Sequence, residues 1–135
     1  MPLVRVRGRS MMPALRPGDI LFMAYAPTYK RGQIVLFTHE NNSYLKRIIG
    51  LPNEHLAINQ GRVTIDGVAL SEPYVPELAN LEPQKNINLH VPDGKYFVAG
   101  DTRDDSLDSR RFGPISQIAI RAVARWRCWP PKFRL

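Results

Sequence analysis

The chain of 135 residues contains a single cysteine, Cys128, so it has neither a disulfide framework nor a CxxC motif. Its three histidines, His39, His55 and His90, are scattered and do not approach metal-ligand spacing. No metal and no cofactor is therefore implied. Long apolar runs are absent too: the longest, residues 20–26, stops at Pro27, far short of the roughly 20 residues that a spanning helix requires. Arginines alternate through the first nine residues, which is unlike a signal peptide. The chain as written is expected to be soluble. Also missing are a Gly-rich phosphate loop, an HExxH helix, paired helical carboxylates and a local signature for a Ser-His-Asp triad.

What is present is the composition of a folded protein, 44% hydrophobic and 23% charged, read as one domain over residues 1–135. The net charge of +7 is unevenly spread. Residues 1–50 carry 8 basic and 2 acidic side chains, residues 51–108 carry 4 and 10, and residues 109–135 carry 7 and none. Such a chain invites a nucleic-acid or anionic-membrane reading, although basic ends can simply lie beside an acidic middle.

Arg5, Arg7 and Arg9 alternate with Val4, Val6 and Gly8, which predicts a short strand with one apolar face. Arg16-Pro17-Gly18-Asp19 reads as a tight turn. Strands are expected over 20–25, 33–38 and 44–49, with Asn41-Asn42-Ser43 as the turn before the last. Two further strands, 54–59 and 62–65, flank Gln60-Gly61, and Asp66-Gly67 signals a hairpin into 68–70. Residues 71–92, with Pro73, Pro76, Pro83 and Pro92, read as an irregular excursion or small subdomain. A strand at 95–99 follows. Ile118, Ile120, Ala122, Ala124 and Trp126 predict one face of a final strand, with Arg121, Arg125 and Arg127 opposite. The sum is an all-β fold of coiled antiparallel sheets with little helix.

Three segments stand out for chemistry. They are Gly8-Arg9-Ser10-Met11-Met12-Pro13, then Tyr44-Leu45-Lys46-Arg47-Ile48-Ile49-Gly50, then Gly100-Asp101-Thr102-Arg103-Asp104-Asp105-Ser106-Leu107-Asp108-Ser109-Arg110. In this order, with GRVTIDGVALSEPY over 61–74, they resemble the type I signal peptidases, Ser-Lys endopeptidases that remove leader peptides from exported proteins. The resemblance implies a partly open barrel of the signal-peptidase catalytic type, with Ser10 as nucleophile and Lys46 as general base. A lysine can act so only as the neutral amine. Lowering its pKa from about 10.4 to about 7–8 costs about 4 kcal/mol against the charged form. Burial supplies that kind of shift, and Lys46 lies in a strand that otherwise reads as core. Taken alone, Lys46 reads rather as a solvated strand lysine pointing at water, and Ser10 as a turn serine; it is the three segments together that favour the pair.

The same resemblance gives Gly8, Met11, Gly100, Asp101, Ser106, Asp108 and Arg110 supporting roles. The Ser10 backbone N–H would begin the oxyanion hole, and Gly8 stands where some relatives place a hydroxyl. Met11 would exclude water, Gly100 and Asp101 would shape the strand end, and Ser106 would hydrogen-bond near the Lys46 amine. Asp108 and Arg110 would form a scaffold ion pair. Thr102 and Asp105 replace two usual asparagines, and the Asp105 charge, if close, would hold Lys46 protonated.

The expected partner is a precursor whose signal peptide binds as an extended strand, cut after small residues in Ala-x-Ala sites. Shallow apolar pockets are expected from residues 20–25 and the segments flanking the dyad. Relatives usually carry a membrane helix just before the nucleophile, whereas Ser10 is the tenth residue. That leaves a shortened start, or a compact form that is soluble or held at an anionic membrane surface. An alternative is a dedicated maturation protease of the nickel superoxide dismutase type. A self-cleaving repressor-type protease is a further reading, weakened by the few residues before Ser10. A reading of another class is a non-enzymatic basic β module for nucleic acid, resting on the charge and on Trp126, Trp129 and Phe133 among arginines; nucleic acid is the weaker partner.

Overall fold

Short alternating segments, separated by turns of Gly, Asn and Pro, pair into two antiparallel sheets in the computed structural model, which describes residues 2–76 and 85–135. The described strands are β1 (Leu3–Arg5), β2 (Ile20–Ala24), β3 (Ile34–His39), β4 (Asn42–Gly50), β5 (His55–Asn59), β6 (Arg62–Ile65), β7 (Val68–Ala69), β8 (Ile87–His90), β9 (Lys95–Ala99), β10 (Ile115–Ser116) and β11 (Ile120–Trp129). Seven form a sheet in the order β1-β2-β11-β3-β4-β9-β10, and four form a sheet in the order β7-β6-β5-β8. Helix among the described residues is confined to α1 (Ser109–Phe112) and one 3-10 turn, Gln117–Ala119. Among the described residues both strand orders are open, so the sheets do not close into a barrel.

Three hairpins turn on two residues with positive φ: Glu40-Asn41 (48°, 67°), Gln60-Gly61 (51°, 78°) and Asp66-Gly67 (50°, 83°). These are the mirror-image turns whose twist matches that of paired strands. The first lies one residue earlier than the sequence indicated, so β4 starts at Asn42. β1 is shorter than the arginine alternation predicts, and the chain turns at Gly8 with φ 74°. The last strand begins at Ile120, because Ile118 sits in the 3-10 turn and is 91% exposed. Bulges between Ile120 and Ala122, Ala124 and Trp126, and Arg127 and Trp129 then break its period of two. Within 71–92, residues 87–90 form β8, while the expectation for 77–84 lies outside the described residues.

β4 joins the parts of the molecule. Its first half pairs with β3, and β9 joins only from Arg47 onward. Its end, Gly50, enters the core beneath the small sheet, made by Ile49, Leu56, Ile58, Val63, Val91 and Phe97. A second core of Val35, Phe37, Ile48, Val98 and Val123 lies on one face of the large sheet. A third, with Val6, Met11, Leu15, Leu21, Met23 and Ile34, supports the turn that carries Ser10.

Candidate active site

Lys46 lies opposite Val35 in the β3–β4 pair and shares its face with Tyr44 and Ile48. It is 5% exposed, and burial is the main force lowering its pKa. Asp108, then Asp105 and Asp101, pull the other way, while Arg110 adds to the lowering. Asp105 therefore acts against a larger effect, and Lys46 remains below the ordinary lysine value. Ser10 stands in the turn after β1, where Gly8 reverses the chain and the Met12 N–H donates to the Arg9 carbonyl at 3.1 Å. The Ser10 Oγ and the Lys46 Nζ are 2.7 Å apart. An amine lowered toward neutrality at that distance can take the hydroxyl proton.

The third segment packs behind this pair. Asp108 is 1% exposed and caps α1. It accepts from the Gly100 N–H at 2.9 Å, the Ser106 hydroxyl at 2.7 Å, and Arg110 through Nε and Nη2, both at 2.9 Å. Burial pushes the Asp108 carboxyl up, but Arg110 and these donors together hold it below the usual range. The Ser106 hydroxyl is thus directed at Asp108, and among the described residues no hydrogen bond joins it to Lys46. A Cβ on Gly100 would run into the Ser106 side chain and come within 2.8 Å of the Ser10 carbonyl oxygen. Only glycine lets Ser106 and the Ser10 turn approach this backbone so closely. Met11 is 2% exposed beneath the turn. Gly8 is exposed, and nothing lies within 4 Å of a Cβ placed on it.

Several contacts escaped the sequence reading. Asp101, fully buried, takes two hydrogen bonds from Arg47, Nε to Oδ1 at 2.9 Å and Nη2 to Oδ2 at 2.7 Å. The Arg47 guanidinium also stacks on Tyr74, 4.1 Å from the ring centre. Arg103, 4% exposed, donates to the Gly100 carbonyl at 2.7 Å and pairs with Glu72. Thr102 donates its N–H to the Ser10 carbonyl at 2.9 Å, and its hydroxyl reaches the Arg9 and Met12 carbonyls. The adjacency of Lys46 to Arg47 and of Asp101 to Thr102 was the only sequence signal available.

Ser10, Met11 and Lys46 open onto a cleft of about 380 Å³ lined also by Val4–Arg7, Leu36 and Ser43–Leu45. The expected contribution from residues 20–25 is not found there, because Leu21 and Met23 point into the core below. Among the described residues no group of three or more His, Cys, Asp or Glu side chains could hold a metal.

The family model described as "Signal peptidase, peptidase S26" matches residues 1–129. A signal peptidase I of Bacillus amyloliquefaciens is 40% identical, the match covering 93% of this chain and 74% of that protein. A signal peptidase IB of Staphylococcus aureus is 30% identical, over 93% and 76% respectively. Among solved structures, a crystal structure of a signal peptidase I from Enterococcus faecalis is similar with a TM-score of 0.64 and 31% identity, covering 73% of this chain and 98% of that one.

Proposed function

This chain belongs to the signal peptidase family, peptidase S26, a family of serine endopeptidases, and we propose that it cleaves leader peptides from exported precursors with Ser10 as nucleophile and Lys46 as general base. The observation that carries this reading is the 2.7 Å approach of a buried, pKa-lowered lysine to a serine hydroxyl at the wall of a cleft.

In this reading the neutral Lys46 amine takes the Ser10 proton as Oγ attacks the carbonyl before the cut. The tetrahedral oxyanion is stabilised by the Ser10 backbone N–H, a fixed dipole in a water-poor site. Lys46, now an ammonium, returns the proton to the leaving amine as the peptide bond breaks. The resulting acyl-enzyme is hydrolysed by a water that the same amine deprotonates.

The backbone around the cleft suits an extended substrate. β1 is an edge strand, and Ser43–Lys46 pair with β3 alone because the pairing of β4 with β9 begins at Arg47. A chain laid between these edges would add a strand. Leu36, Leu45 and Met11 would then offer the shallow apolar floor that favours alanine at the first and third positions before the cut.

The family is membrane-associated, and among the described residues no helix is long and apolar enough to cross a membrane. The basic ends of the chain are neighbours, since β1 and β11 flank β2. Arg5 and Trp129 both lie opposite Ile20, and Leu3 and Trp126 both lie opposite Phe22. This face, with Trp129 at 66% and Phe133 at 79% exposure, is our candidate for contact with an anionic bilayer, where aromatic and basic side chains are favoured together.

The test is cleavage of an Ala-x-Ala leader peptide by the purified chain. Ser10→Ala and Lys46→Ala should each lower kcat by about a thousandfold or more. Retained turnover in either variant would remove the assignment.

A further inference from the structure

Ser10 and Lys46 come from elements that do not pair with each other, a turn after β1 and the middle of β4. Their separation is set by whatever ties that turn to β4. Arg47, the residue after Lys46, grips Asp101 through two buried hydrogen bonds of 2.9 and 2.7 Å. The residue after Asp101 is Thr102, which reaches the turn. Its N–H donates to the Ser10 carbonyl at 2.9 Å. Its hydroxyl oxygen lies 3.1 Å from the Arg9 carbonyl and 2.9 Å from the Met12 carbonyl. Together with the 2.7 Å contact of Ser10 and Lys46, these links close a ring. Lys46 is bonded to Arg47, Arg47 holds Asp101, Asp101 is bonded to Thr102, and Thr102 holds the Ser10 turn.

We propose that Thr102 is the positioning residue of the Ser10–Lys46 pair, its hydroxyl bridging both ends of the Arg9–Met12 turn so that the Ser10 Oγ stays against the Lys46 amine. The inference rests on the Ser10–Lys46 reading. A threonine suits the task because its branched side chain is stiff about χ1, and its single hydroxyl proton is directed at two carbonyls that move together with Ser10. The N–H bond to Ser10 survives any side-chain change, so the hydroxyl's part can be isolated.

Thr102→Val removes the hydroxyl at nearly constant shape, and Thr102→Ser keeps it. Both are to be assayed beside wild type and Ser10→Ala on an Ala-x-Ala peptide, with rates normalised to the folded fraction from thermal melts. Thr102→Val is expected to lower kcat about tenfold with KM unchanged, since a reacting group slightly out of place loses rate rather than binding. Thr102→Ser should stay within about twofold of wild type. The acid limb of the pH–rate profile should not move in Thr102→Val, because the burial and charges around Lys46 are untouched. Loosening of the whole site would instead admit water and shift that limb upward. Thr102→Ala provides a second hydroxyl-free variant should the valine prevent folding. Wild-type kcat in a folded, hydroxyl-free variant, failure of serine to restore the rate, or a loss seen only in KM would overturn the proposal. If Ser10→Ala still cleaves, the dyad reading itself falls; an inactive Ser10→Ala beside a fully active Thr102→Val removes only the positioning role.

Discussion

Lys46 places a stability cost inside the fold that can be measured apart from catalysis. Burial lowers its pKa from the 10.5 of a free lysine, so between the folded and unfolded values the unfolded chain binds more protons. Stability therefore rises with pH across that window, and the penalty is full below the folded value. Lys46→Met keeps the length of the side chain and removes the ionisable group. It should be more stable than wild type in urea at pH 7, with the difference shrinking as the pH approaches 10.5. Equal midpoints at pH 7, or a difference that does not change with pH, would show that desolvation of the ammonium is not the operative effect. The same physics explains why this lysine was legible in the sequence. A charged side chain stands out among Leu45, Ile48 and Ile49, and the resemblance of the flanking segments implied the role of a general base for it. Asp105 was legible as a charge but not in weight, since its pull depends on distances that only the folded loop sets.

At the scale of elements, two glycines of the paired β4 and β9 region separate packing from positioning. Gly50 ends β4, and a Cβ there would meet Leu56 Cδ1 and Phe97 Cβ at 3.0 Å and Val91 Cγ2 at 3.3 Å. Gly100 follows β9, and its Cβ would strike Ser106 and approach the Ser10 carbonyl. Each Gly→Ala change overpacks a tight site and should cost about 1–3 kcal/mol. Their effects on turnover should differ. Gly50→Ala, corrected for folded fraction, should cleave at the wild-type rate, whereas Gly100→Ala should lose most of its kcat because the Ser10 turn is displaced. Parallel losses in both variants would mean that Gly100 matters only for packing. Sequence patterning located these strands well where alternation and two-residue turns agree, as at β5, β6 and β7. It failed where tertiary pairing overrides the pattern: β11 carries three bulges, so Ile120, Val123, Trp126 and Trp129, three apart, share a face, and β8 lies among prolines. The ion pairs Arg47–Asp101 and Arg103–Glu72 were illegible for a related reason. Their partners are remote in sequence, and Glu72, Asp101 and Arg103 lie in the segments after β7 and β9, whose packing only the fold decides.

For the whole molecule, the +7 charge resolves into paired and exposed parts. Arg47, Arg103 and Arg110 are bound to Asp101, Glu72 and Asp108 within the fold, while Arg5, Arg7 and Arg9 are exposed along the first strand and turn. The β1–β2–β11 corner brings this basic edge beside Trp129 and the stacked pair of Phe22 and Trp126, whose rings lie 4.2 Å apart. A basic residue near an anionic surface contributes about 1 kcal/mol, and this attraction weakens as salt screens it. Aromatic side chains at the headgroup level add a part that salt does not remove. Flotation should therefore recover the chain with vesicles containing phosphatidylglycerol but not with purely zwitterionic ones, and raised salt should reduce the bound fraction without abolishing it. Trp129→Ala should lose the salt-resistant part, and Arg5→Ala with Arg7→Ala the salt-sensitive part. Turnover of a short soluble peptide by Trp129→Ala should be unchanged, because Trp129 does not line the cleft. Equal recovery on both vesicle types would exclude the basic edge as the source of binding, and no recovery on either would leave the corner without a role at the membrane.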